Sequence, residues 1–254
     1  MINSLSLKEQ VLTIDLNRRH LVPKLHAKGQ KAICYFSGGT LEAHRKDRAD
    51  YEAAAKKHDG FFYGPPSEWD EQYIDFRMKD VLRPLLENRM KLAIEAGCDA
   101  IEVDCLGAYN HEVPRKHGLT QEDSLVFAKW VSQSAHKLGI AIGLKNIATL
   151  APQLINDFDF AVVESCSSSK NVCALYKDFP KQGKAVFTIH YGDYGSFSSQ
   201  KSTMVQEQKG LGYTCIFNDD DQLDKPSYAY NCDTGSTTST CKLIIFILID
   251  FIFI

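Results

Sequence analysis

A chain of 254 residues with 44% hydrophobic and 24% charged content is long enough to bury one large core, and its composition is that of an ordinary soluble globular protein. Its formal net charge of -3 comes with no run of Lys and Arg interleaved with aromatics, which excludes a nucleic-acid footprint and leaves neutral or cationic ligands open. The eight cysteines form no CxxC pair and no His stands at zinc-finger spacing, so disulfides in an oxidising compartment are expected rather than a metal site. Cys166 and Cys173 are close enough to staple one loop.

Short runs rich in Val, Ile, Phe and Tyr recur along the chain: VLTIDL (11–16), KAICYFS (31–37), QYIDF (72–76), DAIEVD (99–104), IAIGLK (140–145), FAVVES (160–165), KAVFTIH (184–190) and YTCIF (213–217). Between them lie helix-like stretches. From Val81 to Ala96 an apolar face of Val81, Leu82, Leu85, Leu86, Met90 and Ala93 ends at Gly97; Thr120 to Leu138 opens on TxxD and stops at Gly139. Shorter helical turns are predicted over 150–157 and 173–181. Nearly continuous apolar strands alternating with helices mean a parallel sheet covered by helices. About eight strands, with no GxGxxG after the first, favour a closed barrel over an open doubly wound sheet. One domain over 1–220 is predicted, followed by a loop-like tail, 221–254.

In such a barrel the active site gathers at the C-terminal strand ends. There the sequence puts Asp75 and Arg77 (YIDFR), Glu102 and Asp104 (AIEVD), Lys145 and Asn146 (GLKN), Glu164 (AVVES), and His190 with Tyr191 (FTIHY). Charges are seldom buried unpaired, so this convergence reads as a pocket. Two carboxylates across a cleft are the working parts of a glycosidase, one protonating the leaving oxygen and one attacking or activating water. Asp75, Glu102, Asp104 and Glu164 are all candidates on the residues alone. Alternation puts Glu102 and Asp104 on one side of their strand, where Lys145 could pair with either and keep it ionised. Tyr35, Trp69, Tyr109 and Tyr191 are candidate sugar-stacking aromatics, and Trp130 is read as core. No cofactor motif, metal cluster or GxSxG elbow is found.

The series ICYFSGGTLEAHR, YIDFR, AGCDAIEVD, AHKLGIAIGLKN, FDFAVVESC and GKAVFTIHY, from about Asp15 to Phe217, resembles the glycoside hydrolase family of endo-α-1,4-polygalactosaminidases (family 114). The resemblance implies an α/β fold, a TIM-type (β/α)8 barrel, here expected to lack its first strand because the family's opening Trp-bearing strand is missing before Leu5. It implies endo-hydrolysis of α-1,4-linked galactosamine polymers outside the cell, with Asp104 as nucleophile and Glu164 as general acid/base. Tyr35, Asp75, Arg77, Glu102, Tyr109, Lys145, Asn146, His190 and Tyr191 are then expected to bind substrate. Cys166 and Cys173 match the family's paired cysteines after that Glu, and Cys34 and Cys98 also fall on family cysteines. Two positions depart from the pattern: Cys105 stands where the family has Asn, and His190 where it has Glu. A cationic His190 at acidic pH would disfavour an amino sugar.

The expected partner is a polysaccharide, with no cofactor and no nucleic acid, and the protein is expected to be a monomer. Met1 to Leu16 has no secretory pattern, and the last twelve residues, LIIFILIDFIFI, are too short to span a bilayer. Preceded by a small, polar stretch, they loosely resemble a lipid-anchor signal; a gene-prediction error at both ends is the favoured reading. A secreted or surface-anchored enzyme is expected. The alternatives are a degenerate carbohydrate-binding paralogue, prompted by Cys105 and His190, and a metabolic barrel enzyme using Lys145 as a Schiff-base lysine.

Overall fold

The computed structural model describes residues 11–219 and 227–237 and the backbone of 244–247. The expectations about a leader before Val11 lie outside the described residues, as does most of the C-terminal apolar run. Eleven strands are formed among the described residues: β1 (Val11–Asp15), β2 (Lys31–Ser37), β3 (Thr40–Glu42), β4 (Glu71–Tyr73), β5 (Ala100–Asp104), β6 (Ala141–Lys145), β7 (Phe160–Glu164), β8 (Val186–Tyr191), β9 (Thr214–Asn218), β10 (Tyr228–Tyr230) and β11 (Ile244–Ile247). Nine of them make one sheet in the order β10-β9-β8-β7-β6-β5-β2-β1-β11, parallel throughout except for the antiparallel β9–β10 pair. Eight parallel strands interleaved with helices are the (β/α)8 barrel class that the alternating pattern predicts. The edge of β1 that an opening strand would cover is paired in parallel with β11. The stretch after 220, read from sequence as loop-like, thus supplies two strands to the sheet.

Seven of the eight apolar runs enter this sheet. QYIDF does not: its first residues form β4, which pairs antiparallel with β3 in a separate two-stranded hairpin. The helix Gln121–Leu138 forms as its ends dictate, with a Thr120–Asp123 capping box and Gly139 in the left-handed region at φ 86°. Lys79–Glu95 packs Leu82, Leu86, Met90 and Ala93 inward. The helices Arg48–Lys57 and Phe197–Gln208 carry little amphipathic signal and were not expected; the first buries only Tyr51. No helix among the described residues is long and apolar enough to cross a membrane.

Strand alternation divides two cores. One side of each strand packs outward against the helices, as Cys34, Phe36, Ile101, Val103, Ile142, Leu144, Ala161 and Val163 do. The other faces the barrel interior, where Ile33, Ala100, Phe160, Val162, Ile189 and Ile216 fill the lower part. Following the inward set toward the C-terminal ends leads to Asp15, Tyr35, Asp104, Lys145, Glu164 and Tyr191. Each apolar inward residue has a polar one above it, so the barrel's upper layer is its chemical layer.

Three disulfides pin this frame: Cys34–Cys98, Cys166–Cys173 and Cys215–Cys232. The first bridges β2 to the start of β5 and closes a loop with a sequence separation of 64 residues. Replacing Cys34 and Cys98 together with Ala is expected to cost about 4 kcal/mol on chain-entropy grounds, read as a lowered urea midpoint with an unchanged slope. A midpoint equal to that of the parent would show that the loop is held without the bond.

Candidate active site

A cleft of about 1020 Å³ opens over the C-terminal strand ends, bounded by β1, β2, β5, β6 and β7, the β3–β4 hairpin, and the loops 66–70 and 106–113. At its floor Lys145, with its side chain 1% exposed, points its ammonium at three carboxylates. Nζ stands 2.9 Å from Glu102 Oε1, 3.7 Å from Asp104 Oδ2 and 3.5 Å from Glu164 Oε2. Burial pulls the ammonium pKa down, but Glu102, Glu164 and Asp104 outweigh it and hold the group well above its ordinary range. A Schiff-base lysine must lose its proton to attack, and this one is held cationic.

Asp104 is aimed by its neighbours. The Tyr35 hydroxyl donates to Oδ2 at 3.1 Å and the Cys105 amide to Oδ1 at 2.7 Å. Glu164 receives the Tyr191 hydroxyl at Oε1 (2.5 Å) and the Asn146 amide at Oε2 (2.8 Å), while its own N–H donates to Asn146 Oδ1 at 2.9 Å. Burial pushes the Glu164 carboxyl up, but Lys145, Tyr191 and Asn146 together hold it below the usual value. Glu102 lies beneath the cleft, fully buried, and accepts Thr13 Oγ1 at 3.1 Å as well as Lys145. Immediately beyond these residues Cys105, Asn146, Ile147 and Ser165 all have left-handed φ of 58°, 52°, 50° and 49°. Such strain in non-glycine residues is held only where surroundings over-determine it. Gly39 completes the packing, since a Cβ there would lie 2.1 Å from the Cys105 carbonyl oxygen.

The sequence-predicted residues therefore divide. Asp104, Glu164, Tyr35, Glu102, Lys145, Asn146 and Tyr191 come together. Asp75 does not join them: it sits past the hairpin strand rather than at a barrel-strand end, where Arg77 (2.6 Å) and His117 (3.0 Å) take its charge. Those hydrogen bonds outweigh its burial and hold its carboxyl low. Tyr109 turns its hydroxyl to Thr149 at 2.6 Å and is not part of the cleft wall. Trp69 lines the cleft from its loop, 46% exposed, and Trp130 is core at 4%.

His190 is the clearest correction. It precedes the inward Tyr191 by one residue and so faces the helix layer, 3% exposed. Its Nε2 accepts the Ser167 amide at 3.3 Å, which leaves Nδ1 to carry the proton toward Tyr230 Oη at 3.3 Å. Burial lowers its pKa to about 4, so it is neutral at mildly acidic pH and brings no positive charge to the cleft. Because the unfolded imidazole titrates near 6.5, the unfolded state binds the extra proton between about 6.5 and 4. Stability is therefore present above pH 6.5 and is lost as pH falls toward 4, by about 3 kcal/mol from this residue. Denaturant midpoints at pH 7 and 4.5 should converge in His190→Gln relative to the parent; an unchanged pH slope would reject the assignment.

Asp15, Glu42 and Glu71 also line the cleft, and sequence reasoning missed them. Asp15 ends β1 and was visible to the strand-end rule that found the others. Glu42 and Asp15 share Arg45, whose guanidinium lies between them. With His44 they form a set of metal-ligand spacing, but Arg45 already takes up both carboxylates. Cys166, Cys173 and His190 are similarly close, with both sulfurs spent on the disulfide. Overall the cleft wall carries Asp15, Glu42, Glu68, Asp70, Glu71, Asp104, Glu112 and Glu164 against Lys145, His44 and His111. Its field favours a cationic ligand.

The profile of glycoside-hydrolase family GH114 matches residues 3–238. Among solved structures the chain is similar to Aspergillus fumigatus Ega3 in complex with galactosamine, at 27% identity, covering 86% of this chain and 87% of that one with a TM-score of 0.74. It is also similar to the glycoside hydrolase domain of PelA from Pseudomonas aeruginosa, at 14% identity over 86% and 90% of the two chains with a TM-score of 0.62, a likeness of fold alone. A search of curated protein sequences finds no match.

Proposed function

Because the chain belongs to glycoside-hydrolase family GH114, and is thus a glycosidase, we propose that it cleaves α-1,4-linked galactosamine-containing polysaccharide internally and with retention, with Asp104 as nucleophile and Glu164 as general acid/base. The observation that carries this is the shared ammonium of Lys145, 3.7 Å from Asp104 Oδ2 and 3.5 Å from Glu164 Oε2. Those two oxygens can be no further apart than the sum of these distances. A pair of carboxylates drawn to one ammonium is compatible with the roughly 5–5.5 Å separation of a retaining enzyme. The acidic wall suits a polymer of ammonium-bearing sugars. Three disulfides support an extracellular site of action.

In the reaction, the Tyr35 hydroxyl at Oδ2 and the Cys105 amide at Oδ1 hold Asp104 in one orientation for attack at the anomeric carbon. Glu164 gives its proton to the departing glycosidic oxygen and then takes one from the water that opens the glycosyl-enzyme ester. To act first as an acid it must gain a proton in the complex. Sugar filling the cleft removes its remaining water, and that desolvation raises its pKa. In the free protein Glu164 is held ionised, which favours a second reading with the roles exchanged. Incubation with α-1,4-galactosamine oligomers, with product anomers followed by NMR, tests the whole proposal. Retained α-configuration in shortened oligomers is expected, and inversion or no cleavage overturns it.

A further inference from the structure

The acidic wall contains one carboxylate unlike the rest. Asp15 and Glu42 are met by Arg45, and Asp104 and Glu164 by Lys145. Glu68, Asp70 and Glu112 sit at the rim, where water screens them. Glu71 is half-buried and lines the cleft, yet among the described residues its side chain meets only neutral groups: the Thr40 hydroxyl at 2.6 Å and the Cys105 thiol at 3.9 Å, both at Oε2. It stands directly opposite Glu42 in the β3–β4 register, and like charges so placed repel. Arg45 acts on Glu71 only through space, because its guanidinium is committed by contact to Glu42 and Asp15.

We propose that Glu71 is a specificity-determining residue that receives the 2-ammonium group of the galactosamine unit seated against Asp104. This rests on the function proposed above and assigns the recognition of the free amine to one side chain. The placement follows from Cys105, whose amide holds Asp104 Oδ1 at 2.7 Å while its thiol faces Glu71. A nucleophile at Asp104 faces C1 and the 2-amine is two bonds further on, within reach of a wall carboxylate whose Oε1 takes no hydrogen bond among the described residues. Burial, then Glu42 and Asp104, push the Glu71 carboxyl up to about 7 against the opposing pull of the Thr40 hydrogen bond and of Arg45, as expected of a carboxylate with no cation in contact. An ammonium supplies that cation. An N-acetyl group supplies no positive charge and leaves only one neutral N–H at that nitrogen.

The test compares Glu71→Gln with Glu68→Gln, a rim acid, both in a Glu164→Gln background that slows turnover, by calorimetric titration with α-1,4-galactosamine oligomers and their fully N-acetylated counterparts. Glu71→Gln should weaken the galactosamine oligomer roughly 10- to 100-fold, the size of a lost charge-assisted hydrogen bond, and change the acetylated one by less than about twofold. Glu68→Gln should change both only slightly. Thermal melts confirm that each variant is folded, which the retained Thr40 contact of a Gln favours. Equal loss on both oligomers, loss of the same size in Glu68→Gln, or no loss overturns the proposal. Selective loss in a protein whose parent cleaves neither oligomer would sustain Glu71 as the amine reader and overturn the hydrolytic reading instead.

Discussion

Asp104→Asn should lower kcat/KM on galactosamine oligomers by about 10⁴-fold or more, and Glu164→Gln by roughly 10²–10⁴-fold. The two variants should then diverge. Without the acid/base, a small anionic nucleophile such as azide can open the glycosyl-enzyme ester without proton transfer. Azide should therefore restore turnover of an activated substrate in Glu164→Ala and give a product of retained configuration. Without the nucleophile no ester forms, and azide should attack Asp104→Ala-bound substrate directly, giving the inverted azide. If the anomers are exchanged between the two variants, Glu164 is the nucleophile, the assignment that its lowered carboxyl pKa favours in the free protein. Tyr191 and Asn146 are what hold that pKa down alongside Lys145. Tyr191→Phe should accordingly move the acidic limb of the kcat/KM profile upward if Glu164 sets it.

The barrel was legible because buried parallel strands write themselves as apolar runs, and seven of the eight runs stand where the sequence places them. The eighth shows the limit of that signal. QYIDF has the composition of a barrel strand, but only Glu71–Tyr73 is extended, and its partner Thr40–Glu42 lies thirty residues earlier in a pairing that no local pattern announces. Glu71 was hidden for the same reason, since its place in the cleft depends on that hairpin. Strand-end reasoning identified Lys145, Asp104 and Glu164 correctly as neighbours, while strand parity, applied to one more residue, would have turned His190 outward and Tyr191 inward. Asp15 was within reach of the same rule. Asp75 and Arg77 satisfied the rule's chemistry without its geometry, and the structure gives their charges to each other and to His117.

Lys145→Met separates support from chemistry. Glu102, wholly buried, would lose the one cation it meets among the described residues, and breaking a buried pair in this way costs about 3–5 kcal/mol when the remaining group stays charged. It can escape by taking a proton, because burial already raises its carboxyl pKa and Lys145 opposes that rise. In the variant the folded pKa of Glu102 then lies far above its unfolded value near 4.3. The folded state gains from the proton below the unfolded pKa, and that gain is lost as pH climbs through the folded one. The stability deficit should thus be small near pH 5 and largest near pH 8, measured as urea midpoints against the parent. Adding Glu102→Gln removes the stranded charge, and the double variant should recover most of the deficit at pH 8, with Thr13 still donating to the new amide. Activity should not return with stability. Asp104 and Glu164 would still lack the ammonium 3.7 and 3.5 Å away, and without it their mutual repulsion would raise one pKa and shift the pH–rate profile. Full recovery of kcat/KM in the double variant would make Lys145 a counter-ion for Glu102 alone and remove the shared ammonium from the mechanism.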